Sequence, residues 1–439
     1  MAPIAPADLP QPEPKPGPAR RSVPGLRWWI CGLLFFATTL NYLDRQSLSV
    51  LKEEFLTKDL NWRESDYSWI LFSFQTAYAL FQPFVGRLID SIGVRASFAI
   101  AVVLWSLMAG AHAMVRSTIG FCVVRFFLGM AESANFPASI KAVAQWYPQK
   151  ERALATGIFN SGSNVGIMLA PFTVWLAATF GWRAAFVAIG AIGFVWLIFW
   201  LKYYNSPETH DRLSQKESEY IRAGLPAEVE SVKIPWTALL RQKEVWPFLI
   251  AKFLTDPVWW FYLFWIPIYL NDVRHFTAPE RATALTLIYA ISSAGALLGG
   301  AASSFLMKRG WDVGRARKSV MLICACIMPV ASMGVFAEKA ALTVLLFGIS
   351  MAAHAAWMTN VFTTTADVFP KEAVGVANGF GNCVGGLGGA LFSGLIPGFV
   401  IPLAGYVPVL LTMSCFYLLA LLLVHKLMGN LEPVVLEKP

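Results

Sequence analysis

The chain has 439 residues, of which 56% are hydrophobic and only 14% charged, and its mean hydropathy is +0.54. Ordinary soluble domains are about 45–50% apolar and about 25% charged, so this composition excludes that class. The formal net charge of +8 is distributed over the loops between apolar segments, which indicates orientation in a membrane and not a nucleic-acid partner.

Apolar stretches of about 20 residues recur along the chain, and that is the length a helix needs to cross the hydrocarbon core. The sequence therefore predicts an all-α integral membrane protein with about twelve transmembrane helices. The predicted spans are 27–48, 67–86, 96–115, 119–141, 153–178, 183–203, 246–270, 282–307, 318–337, 341–364, 374–398 and 404–426.

The polar segments divide these spans into two groups. Residues 1–24 are rich in Pro and Ala and have no apolar centre, which predicts a disordered cytoplasmic tail and not a signal peptide. The longest polar interruption, 205–244, is predicted to be a cytoplasmic loop. It separates an N-terminal six-helix bundle, 25–204, from a C-terminal six-helix bundle, 245–428, which is followed by a cytoplasmic tail, 429–439.

The two halves of the chain resemble each other. One displacement carries Asn160 onto Asn382 and Gly166 onto Gly388. Because an even number of spans separates the halves, they have the same orientation and form a parallel, pseudo-symmetric repeat. Such repeats are typical of transporters whose site lies between the halves at mid-membrane.

Loops that contain several Lys and Arg residues alternate along the chain with loops that contain few. Lys339 stands alone between the predicted ninth and tenth spans. The rich loops hold Arg20, Arg21 and Arg27, then Arg87 and Arg95, then Lys150 and Arg152, and then Lys308, Arg309, Arg315, Arg317 and Lys318. The positive-inside rule predicts that the rich loops and both termini are cytoplasmic.

A glycine-and-charge motif lies between the second and third spans. Its residues Gly86, Asp90, Gly93 and Arg95 resemble the loop motif of the major facilitator superfamily. Gly86 would allow close helix approach, and Asp90 would pair with a base or a helix end and lock one conformation. The alternative is an ordinary polar turn.

The first span contains the run Asn41-Tyr42-Leu43-Asp44-Arg45. Charges at membrane depth cost about 2.5–3.5 kcal/mol each on insertion scales and mark functional sites. Helical spacing places Arg45 on one face with Asn41 and Tyr42, while Asp44 points about 100° away, toward a neighbouring helix. Arginine is suited to bidentate capture of a carboxylate. The alternative is a structural Asp–Arg pair at the membrane edge.

A second charged set, Arg125 and Glu132, lies two turns apart on one face of the fourth span. The two side chains are too distant along the helix to touch directly, but each can reach partners across the bundle. Burial raises the pKa of a carboxyl group and a nearby arginine lowers it, so proton binding can depend on conformation. The two sets together predict an anionic solute that moves with protons, and the alternative is a static ion network.

Weaker polar and aromatic positions are predicted to face the same cavity. Hydroxyls, amides and aromatic faces suit a polyhydroxylated solute, although interhelical hydrogen bonds and the interfacial aromatic belt explain them about as well. These positions are Tyr78, Asn160, Ser163, Asn164, Lys252, Asp256, Trp259, Trp260, His354, Trp357, Thr359, Asn360, Asn378 and Asn382. His354 is predicted to be a packed, hydrogen-bonded residue and not a proton carrier.

The run 41–45, Arg125 with Glu132, and the segment Phe253–Tyr262 together resemble the anion:cation symporter family, and within it the bacterial hexuronate transporters. The resemblance covers 27–426.

The resemblance implies roles for individual residues. Arg45 would bind the substrate carboxylate beside Tyr42 and Tyr78, and Asn382 would contact the substrate. Asp44 and Glu132 would carry protons, with Arg125 paired to Glu132. Where the galactonate-type pattern has a glutamine, this chain has Ser163. The full predicted substrate set is Tyr42, Arg45, Tyr78, Ser163, Asn164, Trp260, Trp357, Thr359, Asn360 and Asn382.

The sequence and the resemblance together predict a monomeric, proton-coupled symporter of the bacterial inner membrane that imports a sugar acid, a hexuronate, by alternating access. Its partners would be the anionic substrate, protons and lipid, with no other cofactor or metal. Importers or exchangers of aldonates, dicarboxylates or aromatic acids remain alternatives. An enzyme is not predicted, because the sequence shows no Ser–His–Asp set, no metal-spaced cluster and no phosphate loop.

Overall fold

A computed structural model describes residues 23–223, 239–369 and 371–427, and every regular element in these ranges is helical. Nearly all of the predicted tail 1–24, much of the predicted loop 205–244 and all of the predicted tail 429–439 lie outside the described residues.

The N-terminal half contains the following helices: α1 (Leu26–Leu51), α2 (Glu64–Ala111), α3 (Thr118–Glu132), α4 (Asn135–Trp146), α5 (Gln149–Met168), α6 (Ala170–Phe180) and α7 (Trp182–Tyr203). A π-helical turn, Lys52–Leu56, and a short helical turn, Thr57–Leu60, extend the end of α1. A surface helix, α8 (Gln215–Ala223), follows the half.

The C-terminal half contains α9 (Val245–Phe264), α10 (Ile266–Asp272), α11 (Ala278–Lys308), α12 (Val313–Ile327), α13 (Val330–Phe336), α14 (Ala340–Val368), α15 (Lys371–Gly389), a π-helical segment (Ala390–Leu395), α16 (Pro397–Ala404) and α17 (Val407–Leu427). Several of these helices start at local sequence signals. For example, Asp312 accepts a hydrogen bond from the Arg315 N–H (2.8 Å) and caps α12.

Eight described helices are long and apolar enough to cross a membrane. One of them, Glu64–Met114, holds the predicted second and third spans on either side of Gly93, whose φ of 79° breaks the helix. Only glycine adopts that conformation without strain. The predicted span 27–48 is helical, and 246–270 and 318–337 are mostly helical, each divided by a short turn, at Trp265 and at 328–329. The all-helical membrane architecture is confirmed, and the count of twelve stays a prediction.

The two halves meet along two seams. α2 packs against α15, the π-helical segment and α16, while α5 and α6 pack against α11. In the first seam, a Cβ added at Gly386 would lie 2.8 Å from the Ala79 side chain, so the glycine permits close approach. The seams place α1 and α9 against each other at the centre of the molecule.

One end of the bundle is closed by contacts between the halves. We call it the outer end because the charge rule assigns it to the outside. Here the Phe264 carbonyl accepts hydrogen bonds from Ser49 Oγ (2.9 Å) and Tyr67 Oη (3.2 Å). Arg281 of α11 forms a 2.5 Å ion pair with Glu54. At the inner end, by contrast, Arg317 pairs with Asp367 inside its own half.

Carboxylates from both halves also crowd together at the outer end. Glu53 and Glu64 from one half and Asp272 from the other bring oxygens within 4.8 Å of one another. Lys52, almost fully buried, forms ion pairs with both glutamates. Burial raises the pKa of Glu53 above its ordinary value, and the Lys52 charge opposes that effect.

The Arg281–Glu54 pair should hold the outer end closed. We expect Glu54→Gln to weaken closure by about 1 kcal/mol, which changes the ratio of closed to open molecules about fivefold. Pulsed EPR distances between spin labels at Lys58 and Val273 would measure the two populations. Asp59→Asn is the matched control, since it breaks the exposed Arg183 pair inside one half. An equal shift in both variants would contradict a specific role for Glu54.

Glu53 should make closure depend on pH. A carboxyl whose pKa is raised in the closed arrangement holds its proton more tightly there, so closure gains stability as the pH falls toward that pKa. We expect the closed population to rise as the pH is lowered from about 7 to about 5. In the same EPR measurement, Glu53→Gln should flatten this dependence, and an unchanged slope would exclude the residue as its source.

Candidate substrate and proton site

Arg45 lies at the centre of the molecule and is fully buried. Its Nη2 donates to Glu132 Oε2 at 2.8 Å and to Asn41 Oδ1 at 2.7 Å, and its Nε donates to Glu132 Oε2 at 3.0 Å. Glu132 ends α3, so the ion pair joins α1 to α3 inside the N-terminal half. The hydrogen bond to Asn41, together with the Tyr42 ring 4.5 Å from the guanidinium carbon, confirms the predicted face of Asn41, Tyr42 and Arg45.

Four aromatic rings surround the Arg45 guanidinium carbon. The ring centroids of Tyr42, Tyr78, Trp260 and Phe74 lie at 4.5, 4.7, 5.2 and 5.4 Å, respectively. Such faces attract a cation, and the attraction grows when water is excluded. Trp260 belongs to α9, so the aromatic cage is completed by the C-terminal half.

Glu132 is paired with Arg45 and not with Arg125, which corrects the pairing implied by the resemblance. Seven residues along a helix correspond to about 10.5 Å, beyond direct contact between Arg125 and Glu132. All three Arg125 side-chain nitrogens are buried, and they find no hydrogen-bond partner among the described residues. The guanidinium lies 5.7 Å from the Phe74 ring centroid.

Asp44 is also buried, and it lies within electrostatic range of Glu132, Arg125 and Arg45. Two arginines and two carboxyl groups thus form one charge cluster within the N-terminal half. With all four groups ionised, their formal charges cancel. Each proton that binds adds one positive charge.

Several polar atoms around Arg45 are buried without a protein hydrogen-bond partner in the described structure. They are Arg45 Nη1, Glu132 Oε1, Asn41 Nδ2 and Gln75 Nε2. Native proteins leave few buried polar atoms unpaired. Buried donors and acceptors without a protein partner therefore lie near the interface of the halves, where a polar anion could use them.

Some of the other predicted site residues lie at this interface. Asn164 Nδ2 donates to Ser293 Oγ across the halves at 2.7 Å. Ser163, in contrast, donates to the Asn160 carbonyl of its own helix. Asn382 is half-buried on α15, one turn before Gly386 on the face packed against α2.

Trp357, Thr359 and Asn360 are not brought to the Arg45 cage. Asn360 Nδ2 donates to the Gly299 carbonyl at 3.3 Å, and Thr359 Oγ1 donates to the Ala296 carbonyl at 3.4 Å, so both contribute to the packing of α14 on α11. The Trp357 ring packs edge-on against Tyr417. Polar residues of this kind satisfy helix packing as readily as they bind a ligand, and the sequence could not distinguish the two uses.

The loop motif keeps its contacts within one half. Asp90 forms an ion pair with Lys141 of α4, and Arg95 Nη2 donates to the Leu201 carbonyl at 2.6 Å. Gly93 provides the turn. A Cβ at Gly86 would meet nothing within 4 Å, so the expected close helix approach at Gly86 is absent from this arrangement.

Sequence reasoning missed Phe74 and Lys141. Phe74 reads as one more apolar residue of a membrane span, although its position one turn before Tyr78 could have indicated the shared face. Lys141 lies at the predicted inner end of the fourth span, where a lysine is typical of membrane orientation. Its partner Asp90 becomes visible only in three dimensions.

Residues 34–393 match the Major Facilitator Superfamily. The chain is 32% identical over 417 residues to the hexuronate transporter of Escherichia coli (strain K12), which covers 93% of this chain and 96% of that protein. It is 33% identical over 282 residues to the galacturonate transporter of Dickeya chrysanthemi, which covers 63% and 81%, respectively.

The fold is similar to that of a bacterial homolog of the human lysosomal transporter Spinster in an inward-facing and unoccupied conformation. The TM-score is 0.71 with 19% identity, and the match covers 93% of this chain and 99% of that one. The family match and the named relatives show that the protein is a multi-pass membrane transporter and not an enzyme. The chain belongs to the major facilitator superfamily.

Proposed function

We propose that this transporter is a proton-coupled symporter of the bacterial inner membrane that imports a sugar acid, specifically a hexuronate. The observation that carries the proposal is the fully buried Arg45, which is held by Glu132 and caged by rings from both halves. The named substrates of the two sequence relatives, hexuronate and galacturonate, are carboxylates that such an arginine can bind.

The Arg45–Glu132 contact supplies a way to couple anion and proton. Glu132 Oε2 occupies Nε and Nη2, so a substrate carboxylate that binds Arg45 through two nitrogens competes with Glu132 for at least one of them. Protonation of Glu132 removes its charge and releases those donors, so proton binding favours substrate binding. Without the proton, two anions would compete for one cation.

The cage selects a ligand with both polar and apolar faces. The hydroxyls of a sugar acid can meet the unpaired atoms of Gln75 and Asn41, while its C–H face lies against Tyr42, Tyr78 or Trp260. Aromatic faces add about 0.5–2 kcal/mol to the retention of the cation itself.

The halves contact each other at the outer end, whereas the Arg317–Asp367 pair at the inner end lies within one half. This is the arrangement expected of an inward-facing carrier. In this state the ionised cluster is internally neutral and Arg45 is paired with Glu132, as expected after release of substrate and protons. In the outward-facing state, protons would load Asp44 and Glu132, the anion would pair with Arg45, and the halves would rock around the site. Arg125 would keep the local potential positive.

Uptake of labelled glucuronate and galacturonate into proteoliposomes tests the proposal directly. We expect flux that an inward proton gradient stimulates and a protonophore abolishes. Galactonate, tartrate and benzoate in parallel would identify an importer of another organic anion. If no sugar acid moves under the gradient, the proposed function is wrong.

Arg45→Lys should weaken hexuronate binding about tenfold to a hundredfold, because one ammonium group replaces a fork of charge-assisted hydrogen bonds. Calorimetric titration with glucuronate in detergent would measure the affinity. Arg183→Lys, at the exposed outer surface, is the matched control and should leave it unchanged. Equal affinities for wild type and Arg45→Lys would remove Arg45 from the binding site.

Glu132→Gln should abolish gradient-driven uptake and preserve counterflow exchange, since the neutral amide imitates the protonated acid but cannot release a proton. Both fluxes can be measured in the same proteoliposomes, with Glu219→Gln on the exposed face of α8 as control. Loss of both fluxes together with binding would show that the residue only holds a static ion network.

A further inference from the structure

A second buried ion pair lies in the C-terminal half. Lys252 Nζ and Asp256 Oδ2 are 2.8 Å apart, one turn from each other on α9, and their side chains are 2% and 14% exposed. Two buried charges on the half opposite Arg45 are costly to place in a membrane. The Arg45–Glu132 exchange does not use them.

The pair lies beside the aromatic cage. Asp256 is four residues, or about 6 Å along the helix, from Trp260, which contacts Arg45. It is three residues from Trp259, whose ring centroid is 6.3 Å from that of Tyr42. Along the same line a Cβ at Gly385 would lie 2.0 Å from Asp256 Oδ2, and one at Gly389 would lie 2.5 Å from the Trp260 ring. α15 therefore packs directly against Asp256 and Trp260.

The free atom of the pair is an acceptor. Asp256 Oδ2 faces Lys252, while Asp256 Oδ1 is buried and has no hydrogen-bond partner among the described residues. Lys252 Nζ lies 4.3 Å from the Phe362 ring centroid, so its charge is directed between Asp256 and an aromatic face. His354 is engaged elsewhere, since its Nδ1 lies 2.5 Å from Tyr417 Oη.

We propose that Asp256 is a specificity-determining residue that contacts the end of the substrate remote from Arg45. This inference rests on the proposed function, in which Arg45 holds the first carboxylate. An ionised carboxylate accepts hydrogen bonds and donates none. Asp256 Oδ1 therefore accepts from a substrate hydroxyl and repels a second carboxylate, so the transporter takes monoanionic sugar acids and excludes aldarates, which are charged at both ends.

The test compares binding of glucuronate and galactarate to the purified full-length protein by calorimetry. We expect wild type to bind glucuronate and to bind galactarate at least about tenfold more weakly. In Asp256→Asn, the amide donates to a carboxylate and Lys252 loses its partner, so the galactarate-to-glucuronate affinity ratio should rise about tenfold or more.

Two further variants separate specificity from folding. Lys252→Gln keeps the acceptor, so the ratio should not rise. Lys252→Gln combined with Asp256→Asn leaves no buried charge at the pair, and it should raise the ratio on the order of threefold. If Asp256→Asn alone loses its thermal transition, the double variant decides the question.

The outcomes distinguish this inference from the proposed function. If wild type binds neither acid, the proposed function fails. If wild type binds glucuronate but neither Asp256→Asn nor the double variant raises the ratio, Asp256 does not determine specificity, and the symporter proposal stands. A rise in Lys252→Gln equal to that in Asp256→Asn would also overturn the inference, since it would assign the exclusion to the pair as a whole.

Discussion

The ion pair between Arg45 and Glu132 is the interaction on which the rest of the site depends. Both side chains are fully buried, and removing one partner of a buried pair typically costs about 3–5 kcal/mol. The pair therefore fixes α1 against α3 and determines the position of the cage. A ligand that displaces Glu132 from Arg45 leaves a buried carboxylate without its cation. A proton bound to Glu132 would neutralise that charge.

The second constraint is the division of the site between the halves. The charges belong to α1 and α3, whereas one ring of the cage, Trp260, comes from α9. Glycines along α15 let that helix lie directly against α9 and α2, so Trp260 is held by close backbone packing. The glycines thereby connect the movement of a whole half to the environment of one guanidinium group.

Helical periodicity predicted the parts of this arrangement that lie on one helix. Asn41, Tyr42 and Arg45 share a face because residues three and four apart always do. The partner of Glu132 was not predictable, since it depends on how α1 packs against α3. Thr359 and Asn360 were assigned to the site because a hydroxyl or amide in an apolar span has two equally good uses. Only the observed contacts with α11 showed which one applies.

The charge cluster has a consequence for the response to the membrane potential. A potential of 100 mV does about 2.3 kcal/mol of work on each elementary charge that crosses the whole membrane. Asp44, Arg45, Arg125 and Glu132 all belong to one half, and their formal charges cancel when both acids are ionised. When both acids are ionised, the cluster of an empty carrier has no net charge. The membrane potential therefore does no work on the cluster as a whole when the halves move. In the proposed symport cycle, voltage then acts on the steps that carry bound protons and anion.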